Sequence, residues 1–196
     1  MLTMKKKINL LLVEDAIRQF FSKENCLEKA VNRFDTPEYQ NWIQNVANTE
    51  IHGKKLLEDS NGENFCYTCF FTERVKNPEF VMVSYFCLHR SIVYDCHTIY
   101  NKITLNYVKD GIRIRLPDFI VVSPQQVFDS QFSLLNEFID KYYPTSIHIP
   151  FSFLEEKVDV GQIKLPREMA NNYEMLFGAE GNVLKYCISG IKWFSY

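Results

Sequence analysis

Phe80-Val81-Met82-Val83-Ser84-Tyr85-Phe86-Cys87-Leu88 is the stretch on which the fold turns. It is apolar on both alternating faces, so a strand made from it needs cover on two sides and belongs in the middle of a sheet. Upstream, Asn64-Phe65-Cys66-Tyr67-Thr68-Cys69-Phe70-Phe71-Thr72 is rich in aromatic and β-branched residues, which suit a pleated, half-buried surface. Arg74 to Pro78 interrupts that pattern, with Asn77-Pro78 as turn chemistry. Downstream, Ile103 to Val108 and Ile112 to Leu116 flank Lys109-Asp110-Gly111, and Asp-Gly between alternating apolar residues predicts a hairpin. On the return strand Ile112, Ile114 and Leu116 share one face and Arg113 and Arg115 the other. Phe119 to Val122 adds a short apolar run beyond Pro117. Gly62 to Ser123 is thus expected to form an antiparallel meander of about four to five strands.

The flanks read as helices. Leu10, Val13, Ile17, Phe20 and Phe21 recur at helical spacing, and Leu27 to Phe34 makes a second, shorter segment. Thr36-Pro37 predicts a capped start, with Tyr39, Trp42, Ile43 and Val46 on one face. His52 to Gly62 is polar and loop-like apart from Leu56-Leu57. After the meander, Ser123-Pro124-Gln125-Gln126 opens a helix whose buried stripe is Phe128, Leu135, Phe138, Ile139 and Tyr142. Ile147 to Ile149 predicts a short strand. Pro166 opens a last helix with Tyr173, Leu176 and Phe177 inward and Gly178 at its C-terminal end. Val183 to Phe194 reads as a closing strand, and Trp193, Phe194 and Tyr196 make an aromatic tip.

A chain of 196 residues, 46% hydrophobic and 23% charged, suits one core in a single domain spanning 1–196. Net charge is -2, so no global field argues for nucleic acid or an anionic membrane. Lys5-Lys6-Lys7 precedes an apolar run that is too short for a leader or a span, and Glu14-Asp15 follow at once, so a cytosolic N-terminal helix is expected. Six cysteines without secretory context read as reduced thiols.

Three constellations carry possible chemistry. Cys66-x-x-Cys69 with Cys87-x-His89 has the ligand types of a zinc site. Residues three apart on a strand point to opposite faces, so buried structural cysteines are the expectation instead. Cys87, His89, Cys96 and His97 supply thiols and imidazoles for a nucleophile and base, but no glycine-rich turn presents any of these cysteines at a helix start. Neither G-x-x-x-x-G-K-[ST] nor G-x-G-x-x-G occurs, and the helix after the meander opens without the glycine turn of an acyl-CoA site, so no cofactor is expected. Pro117-Asp118 reads as a turn, not as the start of a magnesium-binding nuclease core, since the partner acid-x-lysine pair is missing.

The outward face of the hairpin is the remaining candidate. Arg113 and Arg115 alternate there, with Asn106 and Thr104 opposite and Lys102 and Lys109 nearby, and arginine forks suit phosphate or carboxylate. The expectation is an α+β protein: helices first, an antiparallel sheet in the middle, then helices and a closing strand. Its expected function is that of an interaction or regulatory protein that binds a macromolecule, a protein before a nucleic acid or ribonucleoprotein. A small enzyme with a Cys/His or other polar site is the alternative.

Overall fold

The structure is a computed structural model and describes residues 10–22, 26–51, 53–60, 64–109, 111–121, 128–156 and 171–178. Helix α1 (Leu10–Phe21) buries Val13, Ile17 and Phe21, the residues its 3.6-residue spacing selects. Helix α2 (Cys26–Asn32) tightens into a 3-10 turn at Arg33–Asp35. Helix α3 (Pro37–Ala47) begins as expected, with Pro37 in its first turn and the Thr36 hydroxyl accepting from the Tyr39 N–H at 3.3 Å. Trp42 and Val46 are its buried residues.

The segment expected to be a loop carries two short strands, and a third lies just before it. β1 (Glu50–Ile51) and β2 (Lys54–Lys55) form a hairpin around Gly53, whose φ of 74° lies in the left-handed region that glycine adopts without strain. β3 (Leu57–Glu58) pairs antiparallel with β4. Two-residue strands are too short to leave an alternating pattern, and only their partners define them.

The meander is longer than its sequence suggested. β4 (Cys66–Lys76) does not stop at Thr72; it continues through Arg74 and turns at Asn77, whose side-chain oxygen accepts from the N–H groups of Glu79 (2.9 Å) and Phe80 (2.7 Å). β5 (Phe80–Ser91) lies between β4 and β6 (Cys96–Lys109), the central place its two apolar faces require. β7 (Ile112–Arg115) returns along β6 after the predicted hairpin, and Gly111 has φ 77°. β8 (Phe119–Val121) also pairs with β6. β9 (Ile147–His148) follows helix α4 (Asp129–Tyr142) and joins β6 in parallel. Among the described residues the sheet has seven strands, in the path β3-β4-β5-β6-β7 with β8 and β9 also on β6, against the four to five expected.

Two apolar clusters fill the two faces. On one, α4 lays Phe128, Phe132, Leu135 and Phe138 over Phe71, Phe86 and Ile99, with Phe71 and Phe86 stacked at 4.9 Å. On the other, α1 and two short helices, α5 (Phe151–Leu154) and α6 (Asn172–Phe177), cover Phe65, Cys87 and Tyr100. α6 starts at an Asn171 cap, its side chain accepting from the Glu174 N–H at 2.9 Å. Gly178 ends it with φ 103°, and a Cβ there would lie 2.5 Å from Asn64 Cα, so glycine is required where α6 crosses the start of β4. Among the described residues no helix is long and apolar enough to cross a membrane. The Ser123-Pro124 cap, the Pro166 helix start, the closing strand at Val183 to Phe194 and the aromatic tip lie outside the described residues.

Candidate functional site

The thiols and imidazoles do not converge. Cys66 pairs with Ser91, Cys87 with Tyr100 and His89 with Thr98, which puts Cys66, Cys87 and His89 on the α1/α6 face. Cys69 pairs with Leu88 and belongs to the α4 face. The backbone of β4 runs extended from Cys66 to Cys69, so the sheet separates Cys69 from the other three zinc candidates. Among the described residues no group of three His, Cys, Asp or Glu side chains is arranged to hold a metal. The Cys66 thiol instead donates to the Phe177 carbonyl at 3.2 Å and ties α6 to the sheet.

His89 is buried between two tyrosines, its Nε2 3.1 Å from the Tyr100 hydroxyl and its Nδ1 3.0 Å from the Tyr173 hydroxyl. Burial, helped by the Lys102 charge, lowers its pKa from 6.5 to about 3. The neutral ring donates from one nitrogen and accepts at the other, so it joins β5, β6 and α6 as a structural crosslink. Cys96 and His97 are sequence neighbours on opposite faces. Burial raises the Cys96 thiol far above its ordinary range, with Asp95 adding to the effect. His97, beneath α4, makes a contact the sequence did not reveal: its Nδ1 lies 3.0 Å from Ser146 Oγ. Burial and then the charge of His148 lower His97 to about 3. A base with that pKa has little affinity for a proton at neutral pH, so the Ser146–His97 pair lacks the drive to make a nucleophile. Cys96 is likewise no match for His97: burial keeps its thiol from ionising, and the two side chains lie on opposite faces of the sheet.

Polar side chains near these groups are engaged in structure. Arg90 pairs with Asp95 at 2.9 Å and lies 4.5 Å over the Tyr143 ring, while Thr145 donates to the second Asp95 oxygen at 2.5 Å. A cleft of about 460 Å³ opens between α1, α2 and the sheet, beside Phe20, Lys29 and Arg33. Arg33 forms part of its wall, but its guanidinium donates to the carbonyls of Ala30, Asn64 (2.7 Å) and Cys66 (3.1 Å), binding the 3-10 turn to β4.

The far end of the sheet is different in kind. Toward the turns at Asn77 and Gly111 the strands carry exposed residues, and the register sorts their side chains by chemistry. Asn106 faces Arg115 and Val81, Val81 faces Lys76, Arg74 faces Val83, and Tyr85 faces Lys102. Directly paired residues share a face, so Arg74, Lys76, Lys102, Asn106 and Arg115 lie together on one side of this projecting end. Arg74, Lys76 and Arg115 are exposed. Asp118 is the acid that contacts this side: it accepts from Thr104 at 2.9 Å and pairs with Arg115 at 3.2 Å. Lys102 Nζ stands 5.5 Å from the Tyr85 ring centre. Arg113 takes its register place opposite Val108, and Lys109 pairs with Ile112, the parity of the apolar residues and not that of the arginines.

Of the residues named from the sequence, Lys102, Asn106 and Arg115 lie together on this side, beside Arg74 and Lys76, which the sequence did not single out. Their signal was present in the alternation Thr72-Glu73-Arg74-Val75-Lys76, which continues the strand in polar form. The opposite side of the same projection is apolar and open. Val75 is 49% exposed, Tyr107 38%, Ile112 65% and Ile114 49%. Patches of this kind, rimmed by charge, mark interaction surfaces.

Compared with protein-family models, with curated proteins and with solved structures, the chain finds no match in any of the three.

Proposed function

We propose that the protein is an interaction module that binds an anionic macromolecular partner, a protein, through the basic side of the projecting end of its sheet. The observation that carries this reading is the gathering of Arg74, Lys76, Lys102 and Arg115 on one side of the sheet's far end, with Arg74, Lys76 and Arg115 exposed and Asp118 in contact. Guanidinium and ammonium groups presented in rows on a rigid sheet suit carboxylates along a partner surface. A protein is favoured over a nucleic acid for two reasons. The net charge is -2, and Lys102 already stands over Tyr85, whose ring also packs against Phe70, so these rings are engaged within the fold. The exposed Val75, Tyr107, Ile112 and Ile114 behind the basic side suit the apolar part of a protein interface. The four described free cysteines agree with a reducing, cytosolic setting.

The test is a pull-down from native lysate, with and without nuclease, comparing wild type with Arg74→Glu/Lys76→Glu/Arg115→Glu and with a control reversal at exposed Lys141 on α4. A partner that survives nuclease, is lost in the triple variant and is kept in the control supports the reading. Equal recovery by the triple variant removes this side from consideration, and loss on nuclease treatment replaces the protein partner with a nucleic acid.

A further inference from the structure

The outer edge of β7 extends the reading above to the form of the partner. Leu116 N donates to the Leu105 carbonyl at 2.9 Å, which sets the phase of the β6–β7 ladder. In that phase Ile112, Ile114 and Leu116 turn their backbone groups toward β6, while Arg113 and Arg115 turn their N–H and C=O groups outward. β7 ends the strand path, and among the described residues no strand pairs with its outer side. An open edge with unpaired donors and acceptors is a template for another strand.

The alternation of β7 says what that strand is made of. Ile112 and Ile114 are exposed on the apolar side, and Arg115 is exposed on the basic side. A second copy of this chain is a poor occupant: antiparallel pairing of two β7 strands about Ile114 brings Arg113 of one opposite Arg115 of the other, and like charges directly opposite are destabilising. Charge complementarity calls for acids on the arginine side, and the isoleucines call for aliphatic residues on the other. We infer that β7 accepts an added strand from the partner protein, an extended segment in which acidic and aliphatic residues alternate. Main-chain hydrogen bonds to Arg113 and Arg115 give this strand its place, and the alternation gives it specificity. The inference rests on the proposed basic docking side, which it deepens.

The experiment uses the full chain and two fluorescently labelled, terminally blocked peptides of identical composition, one alternating (Glu-Val-Glu-Val-Glu) and one blocked (Glu-Glu-Glu-Val-Val). Anisotropy titrations at low salt are expected to show the alternating peptide binding at least about tenfold tighter than its isomer. Methylating the peptide's amides at alternate residues is expected to abolish binding in one phase and spare it in the other. Equal affinity of the two isomers, or methylation without effect in both phases, overturns strand addition. In that case, binding of both isomers that Arg74→Glu/Lys76→Glu weakens leaves the basic docking side standing. Binding insensitive to those reversals removes both. No binding of either peptide also overturns strand addition, and the lysate comparison then judges the docking side by itself.

Discussion

His89 and His97 are residues whose chemistry changed meaning between sequence and structure. As letters they offered a base; as buried rings hydrogen-bonded to Tyr100, Tyr173 and Ser146 they are neutral fasteners. Their pKa values fall from 6.5 to about 3, so the folded chain resists protonating them while the unfolded chain takes up both protons. Stability from this source is complete above about pH 6.5 and is lost as the pH falls toward 3, at about 1.4 kcal/mol per unit for each ring. By pH 5 the loss reaches about 2 kcal/mol per histidine. Urea unfolding at pH 7 and pH 5 measures it: His89→Gln and His97→Gln are each expected to remove about half of the drop. An unchanged drop in both variants means that other groups carry the pH dependence.

At the scale of the element, local signals and tertiary demands part company. Thr36-Pro37 marks the start of α3 through hydrogen bonds and a ring constraint that lie within four residues, and this boundary was legible in the letters. Thr36→Ala is expected to cost about 1 kcal/mol in a denaturant titration, since the Tyr39 N–H loses its acceptor. The end of β4 was not legible. Its last residues, Arg74 to Lys76, are polar or exposed, and the strand persists there because β5 pairs with it, Val75 opposite Met82 and the Asn77 N–H donating to the Phe80 carbonyl at 3.0 Å. The same holds for β1, β2 and β3, which exist by virtue of their partners. The zinc candidate failed at this scale too, for a reason the sequence already contained: an extended Cys66-Tyr67-Thr68-Cys69 sends its two thiols to opposite faces.

Across the whole molecule, burial and exposure divide along the strands. The helix-covered end holds both apolar clusters, and Phe86, fully buried there, meets Phe71, Phe128 and Phe132. Phe86→Ala is expected to cost about 3–5 kcal/mol of unfolding free energy by transfer and cavity terms. Val75→Ala, at the open end, is expected to change stability by about 0.5 kcal/mol or less, as surface substitutions do. Chemical denaturation of the two variants compares them directly, and a large loss at Val75 means the projecting end is covered and no docking surface. Division of this kind suits a module that anchors one end of a sheet and offers the other.

What the sequence determined by itself was local: helical periodicity in α1 and α3, the cap at Thr36, the hairpin at Gly111 and a two-faced apolar β5 that had to be central. Each rests on backbone conformation or on side chains a few residues apart, so the information lies in adjacent letters. Only the tertiary structure decided which residues meet. The registers of β4, β5, β6 and β7 brought Arg74 and Lys76 into line with Lys102 and Arg115, across stretches that no short window spans. Burial, which is a property of the packed whole, turned His89 and His97 into fasteners and left Arg74, Lys76 and Arg115 exposed at the sheet's far end.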